Sequence, residues 1–242
     1  ALGYCSLATN TTGTENTAVG KDSLKLNTTA IQNTAVGTSS LRDNTTGTEN
    51  TAVGFNSLVQ STTGSSNTSI GKESLFSNTT ASNNTAVGVE ALKDNTTGTV
   101  NTAMGRQALQ NNTTADGNTA YGHNSLNTVT TGGCNTAVGG SALFNNTGTG
   151  NVAVGHSVLQ ANTSASDNVG IGRNALYTNT EGHSNVGIGR NALYDNTTGD
   201  QNIAIGCSAL ANNTTASGNT GLGHNALVAH TTGGCNTAVG CN

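Results

Sequence analysis

The sequence contains no proline and no tryptophan, and only 3% of its 242 residues are aromatic. Charged residues make up 8%, against about 25% in an average soluble domain. With so few large side chains, the chain cannot build the thick packed core that an enzyme domain of this length normally has. The net charge of -4 includes no basic cluster, so we expect no nucleic-acid partner.

Long apolar runs and groups of reactive side chains are missing as well. No apolar run approaches the roughly 20 residues of a membrane-spanning helix, so we expect no membrane insertion in this segment. The carboxylates are scattered over variable positions, and no Asp recurs where calcium-binding β-rolls place one. We therefore predict a protein that is not an enzyme and that holds no cofactor and no metal.

Threonine, asparagine and glycine are abundant, with 43, 36 and 33 copies, because the sequence repeats. A glycine that closes an Asn-x-x-x-Gly block recurs every 17 residues, with one interval of 16 between Gly139 and Gly155. We number the positions of each repeat from this glycine, which is position 0. The period predicts a single array over residues 1–242, with about 14 coils. The coil boundaries are Gly3, Gly20, Gly37, Gly54, Gly71, Gly88, Gly105, Gly122, Gly139, Gly155, Gly172, Gly189, Gly206, Gly223 and Gly240.

Several repeat positions hardly vary along the chain. Asn occupies position −4, Leu position +4 and Thr position +8 of the repeats. Position −1 is always apolar, and position −2 is always Ala, Ser or Gly. Because this variation lies within one chain, it reports which side chains each position tolerates.

The pattern indicates an all-β fold. Thr, Asn and Gly are poor helix formers, and the alternation in Thr-Ala-Val has the period of two expected of a short strand. Glycines at fixed intervals supply corners between such strands. We predict a parallel β-solenoid, or β-roll, with one coil per 17-residue repeat. Proline would remove hydrogen bonds between coils, which explains its absence.

Stacked coils place like side chains above one another. We expect ladders of Leu and Val to fill the interior, and ladders of Asn and Thr to hydrogen-bond along the axis. The predicted ladder residues are Leu24, Leu41, Leu58, Val19, Val36, Val53, Asn16, Asn33, Asn50, Thr28 and Thr45.

The predicted core is thin, with about two large apolar side chains for every 17 ordered residues. The small side chain required at position −2 would suit a crowded shared axis. We therefore favour a homotrimer, although a monomeric solenoid is also consistent with the repeats. Both ends interrupt a repeat and neither carries a cap, so we also expect a longer array or end-to-end stacking into a filament.

The repeated blocks Asn16–Gly20, Asn67–Gly71 and Asn202–Gly206 resemble known repeats. They are similar to the head repeats of YadA-type trimeric autotransporter adhesins and to the Asn-Thr-Ala-Val-Gly arrays of phage and virus tail-fibre proteins. The resemblance extends over essentially the whole chain, although the autotransporter unit is shorter. It implies a left-handed trimeric β-roll and a role in attachment to a surface.

These observations predict a non-catalytic structural fibre or adhesin segment, a stiff rod used for attachment or display. Its location would be extracellular, at a cell surface or at a virion surface. The expected partners are further copies of the chain and a cell-surface receptor or glycan.

The alternative is an ice-binding solenoid, because some antifreeze proteins are Thr-rich β-solenoids. Such a face needs two outward Thr in each coil, as Thr12 with Thr14 or Thr46 with Thr48 would supply. Other coils interrupt the second rank with Ile31, Asp116, His183 and Asp200.

Position +7 carries an Asn-x-Thr/Ser sequon in nine coils, which permits N-glycosylation in a eukaryotic or viral source. Adjacent sites about 4.8 Å apart would be too close for a glycan on every coil. A turn and ladder of Asn and Thr explains the regularity better than glycosylation does. The nine sequon asparagines are Asn10, Asn27, Asn44, Asn78, Asn95, Asn112, Asn162, Asn196 and Asn213.

Overall fold

A computed structural model of the protein describes residues 1–241. They form an all-β parallel β-solenoid of about 13 turns with a repeat of about 17 residues and no helix, which confirms the predicted fold class. The chain divides into two compact units, Ala1–Ala120 and Tyr121–Asn242. The three-residue strands are β1 Thr17–Val19, β2 Thr34–Val36, β3 Thr51–Val53, β4 Thr68–Ile70, β5 Thr85–Val87, β6 Thr102–Met104, β7 Thr119–Tyr121, β8 Thr136–Val138, β9 Val152–Val154, β10 Val169–Ile171, β11 Val186–Ile188, β12 Ile203–Ile205, β13 Thr220–Leu222 and β14 Thr237–Val239.

In the first unit, strands β1 to β6 pair in chain order, parallel and in register. Ala18 lies beside Ala35, and Val19 lies beside Val36. Each residue therefore stacks on the residue at the same repeat position of the next coil. This is the geometry from which the ladders arise.

In the second unit, strands β8 to β14 follow the same arrangement. The shortened coil between Gly139 and Gly155 does not disturb it, because Ala137 still pairs with Ala153. The missing residue is therefore absorbed in the turns, outside the strands.

The interior of both units is built from two apolar ladders. The twelve Leu side chains at position +4 from Leu24 to Leu210, among them Leu41 and Leu58, have 0% of their surface exposed. The small residues at position −2, such as Ala35 and Ala52, are equally buried. The leucine side chains thus fill the interior of each coil, and the alanine methyl groups at position −2 pack against them.

The expectation that Val19, Val36 and Val53 fill the interior is wrong. Val19 and Val36 are 37% and 36% exposed, and Val53 is half-buried, because the middle residue of each strand points inward instead. Position −2 must be small because the interior is already occupied by the chain's own side chains. The small residue is therefore not evidence of a shared trimer axis.

One pair of positions shows how tightly this interior is filled. The residue at position +3 contacts the residue at position −2 of the following strand, as Ser57 Oγ does when it donates to the carbonyl oxygen of Ser69 at 2.8 Å. Where position +3 holds the larger Val158, position −2 holds Gly170. A Cβ atom on Gly170 would lie 2.4 Å from Cγ1 of Val158. The side chains at positions +3 and −2 therefore occupy the same space in the interior, and a larger residue at one requires a smaller residue at the other.

Between the strands, several residues other than glycine adopt a left-handed backbone conformation. Leu24 and Leu41 have φ angles of 47° and 49°, and Asp22, at position +2, has 55°. Such conformations cost an L-residue about 1–2 kcal/mol. At position 0 the glycine is required for a second reason, since a Cβ on Gly20 would lie 2.6 Å from the carbonyl oxygen of Gly37.

We predict that Gly170→Ala lowers the unfolding free energy by about 1–3 kcal/mol, as overpacking of a core does. The added methyl group collides with Val158, so the double variant with Val158→Ala should recover stability. It recreates the Ala91–Ala103 combination present elsewhere in the chain. Urea unfolding of the two single variants and the double variant measures the coupling. Additive effects without recovery would contradict the shared volume.

Candidate functional site

The asparagines at position −4 join each coil to the next through their carboxamide groups. Oδ1 of Asn33 accepts the backbone N–H of Asn50 at 2.9 Å, and Nδ2 of Asn33 donates to the carbonyl oxygen of Gly47 at 2.9 Å. In the second unit, Asn185 makes the same two bonds with Asn202 and Gly199. These buried groups satisfy backbone atoms that no strand pairs, which explains the invariance of Asn at this position.

The asparagines at position +7 form a second buried ladder. Nδ2 of Asn44 donates to Oδ1 of Asn27 at 3.1 Å and to the carbonyl oxygen of Gly47 at 2.9 Å. Asn196 bonds in the same way to Asn179 and Gly199 in the second unit.

This ladder bears directly on the nine sequons. The asparagine is 0% exposed in eight of them, which are Asn27, Asn44, Asn78, Asn95, Asn112, Asn162, Asn196 and Asn213. The half-buried Asn10 is the ninth. A glycan attaches to Nδ2, and the ladder uses that atom. Folding of these coils and glycosylation at the eight buried asparagines therefore exclude each other.

The threonines at position +8 bond to the backbone of the next coil. Oγ1 of Thr28 donates to the carbonyl oxygen of Thr45 at 3.1 Å, and Thr45 repeats the contact with Thr62 at 3.0 Å. The two Thr residues predicted to stack do so, and their hydroxyl groups face carbonyl oxygens.

The Ser, Asp and His side chains at position +11 accept hydrogen bonds from backbone N–H groups of the preceding coil. Oγ of Ser65 accepts the N–H of Thr48 at 3.0 Å, and Oδ1 of Asp200 accepts the N–H of His183 at 2.7 Å. This is the face on which the sequence suggested two ranks of Thr. Its polar side chains bond to the backbone of the neighbouring coil and so stabilise the solenoid.

The outward residues of the strands form a different surface, which we call the sheet face. It consists of the side chains at positions −3 and −1, and none of them is charged. In the first unit it presents Thr at every position −3 and an apolar residue at every position −1. In the second unit, strands β9 to β12 present aliphatic residues at both positions, with Ile203 and Ile205 exposed by 41% and 37%.

Charged side chains in the first unit pair along positions +1, +2 and +5. Nζ of Lys93 lies 3.1 Å from Oε2 of Glu73 and 3.7 Å from Oε1 of Glu90, and Lys72 lies 3.6 Å from Glu73. The hydrogen bond from Lys93 lowers the pKa of the Glu73 carboxyl group. The stabilisation it gives is present above the unfolded pKa of that group and is lost as the pH falls through the lowered value.

The second unit carries two basic residues of its own, Arg173 and Arg190, both exposed. Nη2 of Arg190 lies 3.6 Å from Sγ of Cys207, and the Ser208 hydroxyl lies 3.8 Å from that sulfur. The Arg190 guanidinium, followed by Ser208, lowers the pKa of the Cys207 thiol. On the same coils, the rings of Tyr177 and Tyr194 stack with centroids 5.2 Å apart and planes inclined by 3°.

Residues 1–241 contain no group of three or more His, Cys, Asp or Glu side chains placed to hold a metal ion. Within the same residues, no helix is long and apolar enough to span a bilayer. The chain matches no protein-family model, and no curated protein or solved structure matches it significantly. The resemblance to adhesin heads and tail-fibre arrays therefore stays a prediction.

The ladder at position +7 is broken in the first unit, where Ser61 replaces Asn. Oδ1 of Asn44 and Oγ of Ser61 are both buried and make no hydrogen bond to a described residue. In the second unit, Oδ1 of Asn213 is unsatisfied in the coil before His230. A buried unpaired acceptor costs about 1–3 kcal/mol.

We predict that Ser61→Asn completes the ladder and raises the melting temperature by about 2–4 °C for each kcal/mol recovered. The new Nδ2 would donate to Asn44, as Asn44 donates to Asn27. Ser61→Ala is the matched control: it removes the unsatisfied Ser61 hydroxyl but leaves Asn44 unsatisfied, so it should stabilise less than Ser61→Asn. Calorimetry compares the two variants. A lower melting temperature for Ser61→Asn would contradict the ladder.

We also predict that Arg190→Gln raises the pKa of the Cys207 thiol and slows its alkylation several-fold at neutral pH. Mass spectrometry of the Cys207 peptide after brief iodoacetamide treatment measures the rate across a pH series. Arg173→Gln, one coil away, is the control and should leave the pH profile unchanged. Equal rates in wild type and Arg190→Gln would show that the guanidinium does not act on the sulfur.

Proposed function

We propose that the protein is a non-catalytic structural segment of an extracellular or surface-exposed fibre, and that it assembles with copies of itself through the sheet face. The uncharged sheet face is the observation that carries the proposal. Flat parallel strands with outward Val and Ile are prone to associate when left open to water. If the sheet faces of several copies pack against one another, these apolar side chains are no longer exposed to water and cannot cause non-specific association.

The repeat supports assembly in register. All copies share the same coil spacing, so within each unit a coil of one copy can meet the corresponding coils of the others. A homotrimer with the sheet face turned inward leaves positions +1 to +6 on the outside, where 14 of the 20 charged residues lie. The buried carboxamide ladders supply the stiffness that a rod for attachment or display needs.

The test is the mass in solution, measured by light scattering after size-exclusion chromatography. We expect the wild type at about three times the 24.0 kDa of one chain, and Ile171→Asp with Ile205→Asp at the mass of one chain. Asn174→Asp, which adds a charge off the sheet face, should keep the wild-type mass. A wild type that stays monomeric over a wide concentration range would contradict assembly.

Ice binding is the second candidate, and the sheet face of the first unit favours it. Thr17 and Val19 point outward from one strand, and the next strand repeats the pair about 4.8 Å away. The result is a regular array of hydroxyl and methyl groups, unlike the irregular positions +9 and +11. Thermal hysteresis of a monomeric wild type, abolished by Thr51→Asp, would favour this function over the fibre.

A further inference from the structure

We propose that one surface of the second unit binds an acidic polysaccharide through two arginines and two tyrosines. We call this surface the Arg-Tyr patch; it consists of Arg173, Asn174, Tyr177, Arg190, Asn191 and Tyr194. The inference names a partner for the attachment role proposed above and rests on that role.

The patch arises from a local duplication. The five residues 173–177 and the five residues 190–194 have the same sequence, Arg-Asn-Ala-Leu-Tyr. In each stretch Ala and Leu are buried, while Arg is exposed and Asn and Tyr are half-buried. Two consecutive coils therefore present the same three polar or aromatic side chains.

Contacts in both units place these three positions side by side. In the first unit, Glu73 at position +2 contacts Lys72 at position +1 and Lys93 at position +5 of the next coil. In the second unit the same positions hold Asn, Arg and Tyr. Nδ2 of Asn174 lies 3.5 Å from Oδ1 of Asn191, and the two tyrosine rings stack. The repeat thus gathers six side chains into one surface.

The charge of the Arg-Tyr patch differs from the charge at the same repeat positions in the first unit. All five ion pairs among the described residues lie in the first unit; four of them use an acid at position +2, and the fifth joins Arg42 to Asp43 at position +6. Asn174 and Asn191 replace those acids, and Asp195 is the one acidic residue between positions +1 and +6 of the two coils. Two exposed guanidinium groups lie without a carboxylate partner on adjacent coils, whose spacing is about 4.8 Å; Arg190 contacts the Cys207 sulfur. Like charges on neighbouring strands repel. An anion that bridges them would relieve this repulsion.

The chemistry of the patch fits a chain of acidic sugars. Guanidinium groups bind carboxylates through paired hydrogen bonds. Asn carboxamides both donate to and accept from hydroxyl groups, and tyrosine rings offer an apolar surface with a polar edge. A nucleic acid needs many cations to neutralise its phosphates, and two arginines are too few.

The experiment measures binding of the full chain to immobilised polygalacturonate by biolayer interferometry at low and moderate salt. We expect wild type to bind, and the double variant Arg173→Gln with Arg190→Gln to bind at least ten-fold more weakly. Tyr177→Leu with Tyr194→Leu should also weaken binding. Arg106→Gln is the matched control: it removes one cation from position +1 of the first unit and should change affinity less than two-fold.

Three results would overturn the proposal. They are no binding of wild type to polygalacturonate, equal binding of the double arginine variant, or tighter binding to single-stranded DNA than to polygalacturonate. Circular dichroism melting must be the same for wild type and variants, which separates lost binding from lost folding. A trimer without polygalacturonate binding would reject the patch and keep the proposed assembly, whereas a monomer that binds would reject the assembly and keep the patch.

Discussion

The structure depends on the buried carboxamide of the asparagine at position −4. One side chain holds a backbone N–H and a carbonyl oxygen of the following coil, as Asn33 does with Asn50 and Gly47. Backbone hydrogen bonds join the coils in the strands and in the turns, as the Leu24 N–H does when it donates to the Ser40 carbonyl oxygen at 3.1 Å. The asparagine at position −4 adds a side-chain link for backbone groups that these bonds leave unpaired. A side chain lacking either the donor or the acceptor would leave a buried backbone group unpaired.

The interior and the surface of each coil differ in how much their residues vary. Leu, Ala, Asn and Thr at fixed positions build the solenoid and leave little freedom for change. Positions −3, −1, +1, +2, +5 and +6, with positions +9, +11 and +12, carry most of the differences between coils. The proposed functions rest on two surfaces formed by such positions, the sheet face and the Arg-Tyr patch.

Much of the fold could be predicted because one chain displays many copies of the same unit. The invariant Leu at position +4, exemplified by Leu92, predicted a buried ladder, and the period predicted the solenoid. The side of the strand that faces inward could not be predicted from Thr-Ala-Val alone. Val is larger and more apolar than Ala, so burial of Val was the natural expectation. The leucine ladder fills the coil, however, and only a small side chain fits opposite it: a Cβ on Gly187 would lie 3.2 Å from Cγ of Leu176.

The left-handed leucines and the Arg-Tyr patch were also beyond sequence reasoning. Leu24 gives no local signal for a φ of 47°, because the hydrogen bonds between coils impose that conformation. The patch depends on positions +1, +2 and +5 lying together, which the ion pairs of Glu73 reveal and the linear order of the residues does not.

Native-state amide hydrogen exchange tests the central claim most directly, because it reports bonding residue by residue. The backbone N–H groups of Asn33, Asn50 and Asn67 are held by the preceding asparagine at 2.9–3.0 Å, and they should exchange slowly. The amides of Thr38, Phe55 and Lys72 at position +1 make no backbone hydrogen bond to a described residue, and they should exchange fast. A 17-residue alternation of slow and fast amides is the result that the carboxamide ladder predicts. Uniform protection along the repeat, or fast exchange at the position −4 asparagines, would contradict it.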